Sequence, residues 1–503
     1  MCSSLSGSRD VSTQSTSTPA WRSIAAGAAR PSGWRPRSYV EISRARTVSL
    51  FHVILADVQQ TSLATAPDTS FFGHPRGLST LFFTEMWERF SYYGMRAFLI
   101  YYMTATAAAG GLGFSDADAT SIYGTYTGSA WGASIVGGLI ADRFLGQYRS
   151  VLIGGIIIML GHFTLVFTPV PFFYAGLTLI VVGTGLLKPS ASTLVGLLYE
   201  QGDKRRDAGY SLFYMGINSG AILGPIIAGY IAQRIDWHLG FGCAGIGMAL
   251  GVVQYVVGKK HLRPAIDRGE ASTRTATESG GSTTSRFAFT PSEWKRIAAI
   301  VSFFAFAILF WAGYEQAGST LAFFADRNTR LELFGFSFPS SWFQSAQPFF
   351  VVALAPVFAW LWVRLGRHEP PVTAKFALGL LFMGTAFFIM VPAGAIAQDG
   401  SVRVSPLWLI GWNLFSEFGE ICLYPVGMNA VSKLSPARVV GVMMGVWFLS
   451  ISFGNKLAGF AASFINTVPL DRLFAIFGAI LVVAALLMFA LVRPIGRLTN
   501  EPS

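Results

Sequence analysis

The sequence predicts an all-α polytopic membrane protein built as two six-helix bundles around a central cavity. Three observations carry that prediction. Of the 503 residues, 52% are hydrophobic and only 13% charged, against roughly 25% charge in a soluble protein of this size. Twelve runs are apolar over the roughly 20 residues that a helix needs to cross the hydrocarbon core: 79–106, 121–142, 150–169, 172–198, 210–233, 239–258, 296–325, 343–363, 372–393, 405–426, 439–465 and 471–493. Cations recur in every second loop. The strands of a β-barrel would be half as long and alternate in polarity.

Residues 1–70 precede the first run. They are Ser/Thr-rich, and several arginines between Arg22 and Arg46 stand against one acid, Glu41. A targeting segment has that bias, but a disordered tail or a start codon placed too far upstream accounts for it more simply. The first six runs form an N-terminal bundle over 71–258. Residues 259–295 include "RPAIDRGEASTRTATESGGSTTSRF", whose Gly, Ser and Thr content predicts a flexible cytoplasmic linker. The second bundle covers 296–493, and 494–503 form a tail. Basic Gly-containing turns, "GGLIADRFLGQYR" and "WLWVRLGRH", follow the second and eighth runs, a faint repeat between the halves. Two such halves around a midplane site are the architecture of secondary transporters.

The net charge of +11 is distributed for orientation rather than for nucleic acid. Arg143 and Arg149, Lys204 to Arg206, Lys259, Lys260 and Arg263, Arg364 and Arg367, Lys433 and Arg438, then Arg493 and Arg497 occupy alternate loops. The intervening loops hold only Arg234, Arg327, Arg330 and Arg403. The positive-inside rule then places both termini in the cytoplasm, with the cell membrane as the expected location. Cys2, Cys243 and Cys422 are too scattered for a metal site or a disulfide framework.

In the first run, "FFTEMWERFSYYGMRAFL" carries full charges where lipid tolerates none. Glu85, Glu88, Arg89, Tyr92, Tyr93 and Arg96 are spaced 3, 1, 3, 1, 3, so a 3.6-residue helix puts all six on one face. A charge at the bilayer centre costs on the order of 3 kcal/mol, and such residues face a bundle interior and mark pathways. A ladder that merely pins helices together needs only balanced pairs. Two carboxylates, two guanidiniums and two phenols in one stripe point instead to a transport path. Low dielectric favours the protonated carboxyl and a neighbouring guanidinium the ionised one. An anionic ligand arriving at Arg89 therefore removes a counter-ion and favours protonation of a glutamate.

Other intramembrane polar groups join the candidates. Lys188 lies mid-span before Pro189, where a kink should free backbone carbonyls. Glu315 stands in the seventh run. Glu417 and Glu420 are i,i+3 in the tenth; Glu420 is the site candidate, and Pro425 is expected to break the helix soon after. Asn218 and Gln347 are polar residues whose bland role is helix–helix hydrogen bonding. Trp311 and Trp447 either wall a pocket or pack, Lys456 is ambiguous, and His162 reads as packing. Cations and anions thus converge from the first, fourth, seventh and tenth runs, two from each half. Arg89 and Lys188 suit a carboxylate and Glu420 an ammonium, so the pocket suits a zwitterion.

At these residues the chain resembles the proton-dependent oligopeptide transporter family of the major facilitator superfamily. The first-helix signature stands as Glu85-Met86-Trp87-Glu88-Arg89-Phe90-Ser91-Tyr92-Tyr93-Gly94, and the fifth-helix signature as Phe213-Tyr214-Met215-Gly216-Ile217-Asn218-Ser219-Gly220. The fourth-helix Lys matches Lys188, the seventh-helix motif Trp311 to Gln316, and the tenth-helix Glu is Glu420. The likeness runs from about Phe72 to Arg493 and implies a major-facilitator fold. By that resemblance Glu85, Glu88 and Arg89 couple protons with Lys188 as partner, and Glu315 is a proton-sensitive gate facing Arg96. Arg89 and Lys188 hold the peptide C-terminus, and Asn218 and Glu420 take the amine. Tyr92, Tyr93 and Arg96 line the site. Three departures, Ser190, Gln347 and Trp131, bear on side-chain preference, and the second run lacks the His that animal members use. The linker is too short and polar for the two extra helices of many bacterial members.

The expected function is proton symport of di- and tripeptides, by a protein that acts as a monomer and needs no cofactor beyond protons. A family member carrying nitrate, an amino-acid conjugate or a peptide-like drug is the alternative. An enzyme is not expected, because no Ser/His pair, aspartate dyad or metal motif lies in the runs.

Overall fold

In the computed structural model the described residues are 68–499, apart from 201, 279–288, 399, 437 and 438. The N-terminal extension expected over 1–70 falls outside them except for 68–70, as do part of the linker and the last residues of the tail. The first bundle comprises α1 (Arg76–Thr104), α2 (Asp116–Ile140), α3 (Gln147–Thr164), α4 (Val170–Leu197), α5 (Arg206–Gly224) and α6 (Trp237–Val257). A π-helical segment at Pro225–Gly229 and a short helix at Tyr230–Arg234 prolong α5. Then come α7 (Lys259–Glu278) and the second bundle: α8 (Pro291–Tyr314), α9 (Ala346–Leu365), α10 (Val372–Ala397), α11 (Leu407–Leu434), α12 (Val440–Ala462) and α13 (Leu470–Ala490). A two-stranded hairpin, β1 (Glu332–Leu333) and β2 (Phe336–Ser337), lies between α8 and α9.

Local chemistry starts several of these helices. Ser115 accepts from the Asp118 amide, and Asp116 and Asp118 place negative charge at the amino end of α2. Asp236 caps α6 through the His238 and Leu239 amides. Thr290 and Glu293 form a reciprocal capping box before α8, with Pro291 at its first position.

Among the described residues, twelve long helices coincide with the twelve apolar runs. By length and apolarity alone, seven helical stretches among the described residues qualify to cross a membrane. The other five, α1, α2, α3, α11 and α12, bury polar groups instead: Glu88, Thr127, His162, Asn413 and Asn455 are all 4% exposed or less. Those groups face protein, so apolar side chains remain for the lipid side.

Two expectations are corrected. Residues 259–278, expected as flexible linker, are the helix α7. Leu262 and Ala265 are fully buried, and Arg268 Nη1 donates to the Leu197 carbonyl at the end of α4 at 2.8 Å; apolar burial and that anchor outweigh the polar composition. Pro425 does not break its helix, because α11 runs on to Leu434. Likewise α4 continues through Pro189 to Leu197. A membrane helix tolerates proline when neighbours supply the packing and no water competes for the remaining bonds. The seventh run does interrupt, at Glu315–Gly318, which form a 3-10 turn before the short helix Thr320–Asn328.

The halves meet along α2 and α12. A Cβ on Gly124 would lie 2.7 Å from the Asn455 carbonyl oxygen, so only glycine lets these backbones approach. Ser452 Oγ donates to the Gly128 carbonyl at 2.7 Å across the same seam, and Lys456 donates to Thr125. More ties gather where α1 ends. Arg327 makes a bidentate pair with Asp116 (2.6 and 2.8 Å), and Asn466 Nδ2 donates to the same carboxylate at 2.8 Å. Gln233 Nε2 donates to Ser340 Oγ at 2.7 Å, Trp342 Nε1 to the Ile226 carbonyl at 3.1 Å and Tyr101 Oη to the Ala322 carbonyl at 3.1 Å. Toward the other end side chains of α4 and α11 are less covered. Ser192, one turn beyond Lys188, is exposed, and Tyr424 and Met428, one and two turns beyond Glu420, are half-buried. Side-chain ties between the halves are concentrated at the end where α1 finishes.

Candidate functional site

The α1 stripe faces the protein interior: a 3.6-residue period keeps its members on one face, and every one except half-buried Tyr93 is at most 5% exposed. Arg89 sits between two carboxylates: its Nε lies 3.2 Å from Glu85 Oε1 and pairs also with Glu88. Its guanidinium carbon is 5.4 Å from the Tyr92 ring centre and 6.0 Å from that of Tyr93. Tyr92 stacks on Tyr126 of α2 at 6.2 Å.

Two turns along, Arg96 reaches across to the second bundle. Its Nη2 lies 2.9 Å from Glu315 Oε2, and its Nε donates to Tyr123 Oη at 2.6 Å. Glu315 can meet Arg96 because α8 gives way to the 3-10 turn at this residue. Gln316 anchors the turn, its Nε2 donating to the Ala312 and Ala458 carbonyls.

Lys188 of α4 rests over the face of Trp131 on α2, with Nζ 2.9 Å from the ring centre. Trp131 in turn stacks on Phe448 of α12 at 6.0 Å, so the lysine's aromatic partner spans both halves. Electrostatic interactions link Lys188 to Arg89, Glu88, Glu85 and Glu315. Glu420 of α11 is half-buried and accepts from Tyr314 Oη at 2.8 Å, and that hydroxyl also lies 3.0 Å from Glu417 Oε1. Glu420 interacts with both Glu315 and Tyr93. Glu85, Glu88, Arg89, Tyr93, Arg96, Lys188, Glu315, Glu417 and Glu420 therefore form one connected cluster with contributions from both bundles.

The remaining candidates sit at its margin or elsewhere. Trp311 is buried and packs edge-on to Tyr314 at 5.3 Å and Tyr424 at 5.5 Å. Asn218 is buried with its Nδ2 donating to the Tyr214 carbonyl in its own helix at 2.9 Å. Gln347 is buried near the start of α9, with no hydrogen-bond partner for its Nε2. Trp447 lies in the core of the second bundle, 1% exposed, against Gly427 and 6.3 Å from Phe376. Ser190 is fully buried, and its hydroxyl has no partner.

The sequence reading overlooked Tyr123 and Tyr314 and set Glu417 aside. Tyr314 directly precedes Glu315, and Glu417 stands one turn before Glu420; both signals are visible in the sequence. Tyr123 is not distinguishable from any helical tyrosine until Arg96 meets it.

Residues 148–292 and 281–483 match the sequence profile of the POT family. The chain is 40% identical over 483 residues to the uncharacterized transporter YclF of Bacillus subtilis (strain 168), covering 87% of this chain and 98% of that protein. It is 34% identical over 490 residues to the di-/tripeptide transporter of Lactococcus lactis subsp. cremoris, covering 86% and 98%. The crystal structure of a peptide transporter POT (a Glu-to-Gln mutant) in complex with alafosfalin superposes with a TM-score of 0.78 at 38% identity, over 88% of this chain and 99% of that one. With the matched profile, these likenesses and the two-bundle fold together, the chain belongs to the POT family of multi-pass membrane transporters.

Proposed function

We propose that this protein is a proton-coupled symporter that imports di- and tripeptides by alternating access. One observation supports it above the others. The cluster holds five carboxyls (Glu85, Glu88, Glu315, Glu417, Glu420) and three cations (Arg89, Arg96, Lys188), a shortfall of two positive charges. Uncompensated charge in a low-dielectric interior costs several kcal/mol per ion. Protons are the small cations that meet such a shortfall, and a zwitterionic peptide adds no net charge. Its carboxylate fits Arg89 and Lys188 in the first bundle and its amine fits Glu420 in the second. A nitrate carrier would have no use for an ammonium acceptor. The resemblance to peptide transporters points the same way.

In this reading Arg89 trades its glutamate partners for the peptide carboxylate, and Glu85 or Glu88 takes a proton as it is released. Arg96–Glu315 closes the cleft at one end, and protonation of Glu315 would free it. In this reading the basic loops, by the positive-inside rule, face the cytoplasm together with both termini, and the membrane is the cell membrane. Uptake of labelled dialanine into proteoliposomes with an imposed proton gradient tests the proposal. Gradient-stimulated uptake is expected; uptake indifferent to the gradient would overturn it.

The outer ties give a second expected result. Asp116→Ala removes the acceptor shared by Arg327 and Asn466, and a partly exposed bidentate pair is worth about 1 kcal/mol. Outward opening should increase roughly fivefold. A cysteine placed at Ser340, 1% exposed here, should then react faster with a membrane-impermeant maleimide. An unchanged labelling rate would show that the latch holds nothing.

A further inference from the structure

Behind the amine site lies a second carboxyl that the proposal above counts in the charge balance but gives no step in transport. Glu417 is fully buried, one helical turn before Glu420 on α11, whereas Glu420 is only half-buried. The two carboxyls are within hydrogen-bonding reach of each other. One phenol, Tyr314, reaches Glu417 Oε1 and Glu420 Oε2, and Glu417 Oε2 is buried with no donor. The titratable groups around the pair are Tyr93 of α1, Tyr214 of α5, Tyr314 and Glu315 at the end of α8, and Tyr424 of α11 itself. Among the described residues no lysine or arginine forms an ion pair with either carboxyl; Lys375 of α10 pairs instead with Glu369.

Two bare carboxylates in contact, with no cation and one hydroxyl between them, repel each other and lack donors. One proton removes both problems: it supplies the missing donor and leaves a single negative charge. The fully buried residue is the one to carry it, because the charge is less costly where the cleft brings water or an ammonium.

We propose that Glu417 is a positioning residue that stays protonated through the transport cycle and donates its hydrogen bond to Glu420. The pair thereby presents one negative charge, aimed into the cleft, to the single ammonium of a peptide. The proton on Glu417 belongs to the site and is not cargo. It meets one of the two missing positive charges, and the coupling protons move at Glu85, Glu88 and Glu315. This inference rests on Glu420 as the amine anchor.

Dialanine counterflow and uptake by the reconstituted protein test it with three variants. Glu417→Gln, a permanently neutral donor of the same shape, should keep the dialanine KM within about twofold and leave the proton-to-peptide ratio unchanged. Glu417→Leu, which cannot donate, should raise KM roughly tenfold or more with a smaller change in kcat. Glu420→Gln should raise KM at least as much. A Glu417→Gln protein that loses a proton from its stoichiometry, or behaves like Glu417→Leu, would overturn the proposal, as would Glu417→Leu with an unchanged KM. An unchanged KM in Glu420→Gln would instead sink the amine-anchor reading on which it stands. If Glu417→Leu fails to fold, infrared spectra decide. The wild type with bound dialanine should keep a protonated-carboxyl stretch that Glu417→Gln lacks, and identical spectra would refute it.

Discussion

Glu88→Gln should abolish gradient-driven accumulation of dialanine while counterflow partly survives. Glu88 is fully buried and pairs with Arg89, which Glu85 also approaches at 3.2 Å. A glutamine keeps the shape and an acceptor for the guanidinium, so the bundle should persist. It removes the exchange in which a peptide carboxylate takes Arg89 and the released side chain takes a proton. One proton moving down 100 mV supplies about 2.3 kcal/mol, a factor of roughly 50 in concentration. That whole factor should vanish from the accumulation ratio, leaving downhill exchange at reduced rate. Accumulation that still follows the gradient in this variant would move the coupling site elsewhere in the cluster.

Gly220→Val should cost the protein its fold. Gly220 lies where α5 crosses α1: a Cβ there would sit 2.1 Å from the Met86 carbonyl oxygen and 2.9 Å from Arg89 Cβ. Ordinary contact needs more than an ångström of separation beyond that, and backbone cannot yield as a flexible side chain does. Overpacking a tight interior costs about 1–3 kcal/mol, and more where backbone is struck. The same displacement would carry Arg89 away from Glu85 and Glu88. The measurement is melting temperature in detergent beside dialanine uptake. Gly242→Ala is the control, because its Cβ would meet only Val166 at 3.8 Å. Equal melting temperatures for the two variants would refute the packing argument.

Most of the α1 stripe was legible because helical spacing dictates which residues share a face, and charge in an apolar run has few reasons to exist. The same logic found Lys188, Glu315 and Glu420. It failed where the outcome depended on a partner far away in sequence. Trp447, which either walls a pocket or packs by sequence alone, lies against Gly427 and Phe376 in the second bundle's core. The helix α7 was hidden by its Gly, Ser and Thr content, since the anchoring carbonyl of Leu197 belongs to another helix.

The sequence by itself determined the twelve helices, their division into two halves and the polar face of α1, because hydropathy and the 3.6-residue period are properties of local chain. Only the tertiary structure decided that Arg96 meets Glu315, that Lys188 rests on Trp131, and that one Tyr314 hydroxyl serves two carboxyls. Those pairings join residues 57 to more than 200 positions apart or turn on a break in α8. Their distances follow from how helices pack, which no periodicity encodes.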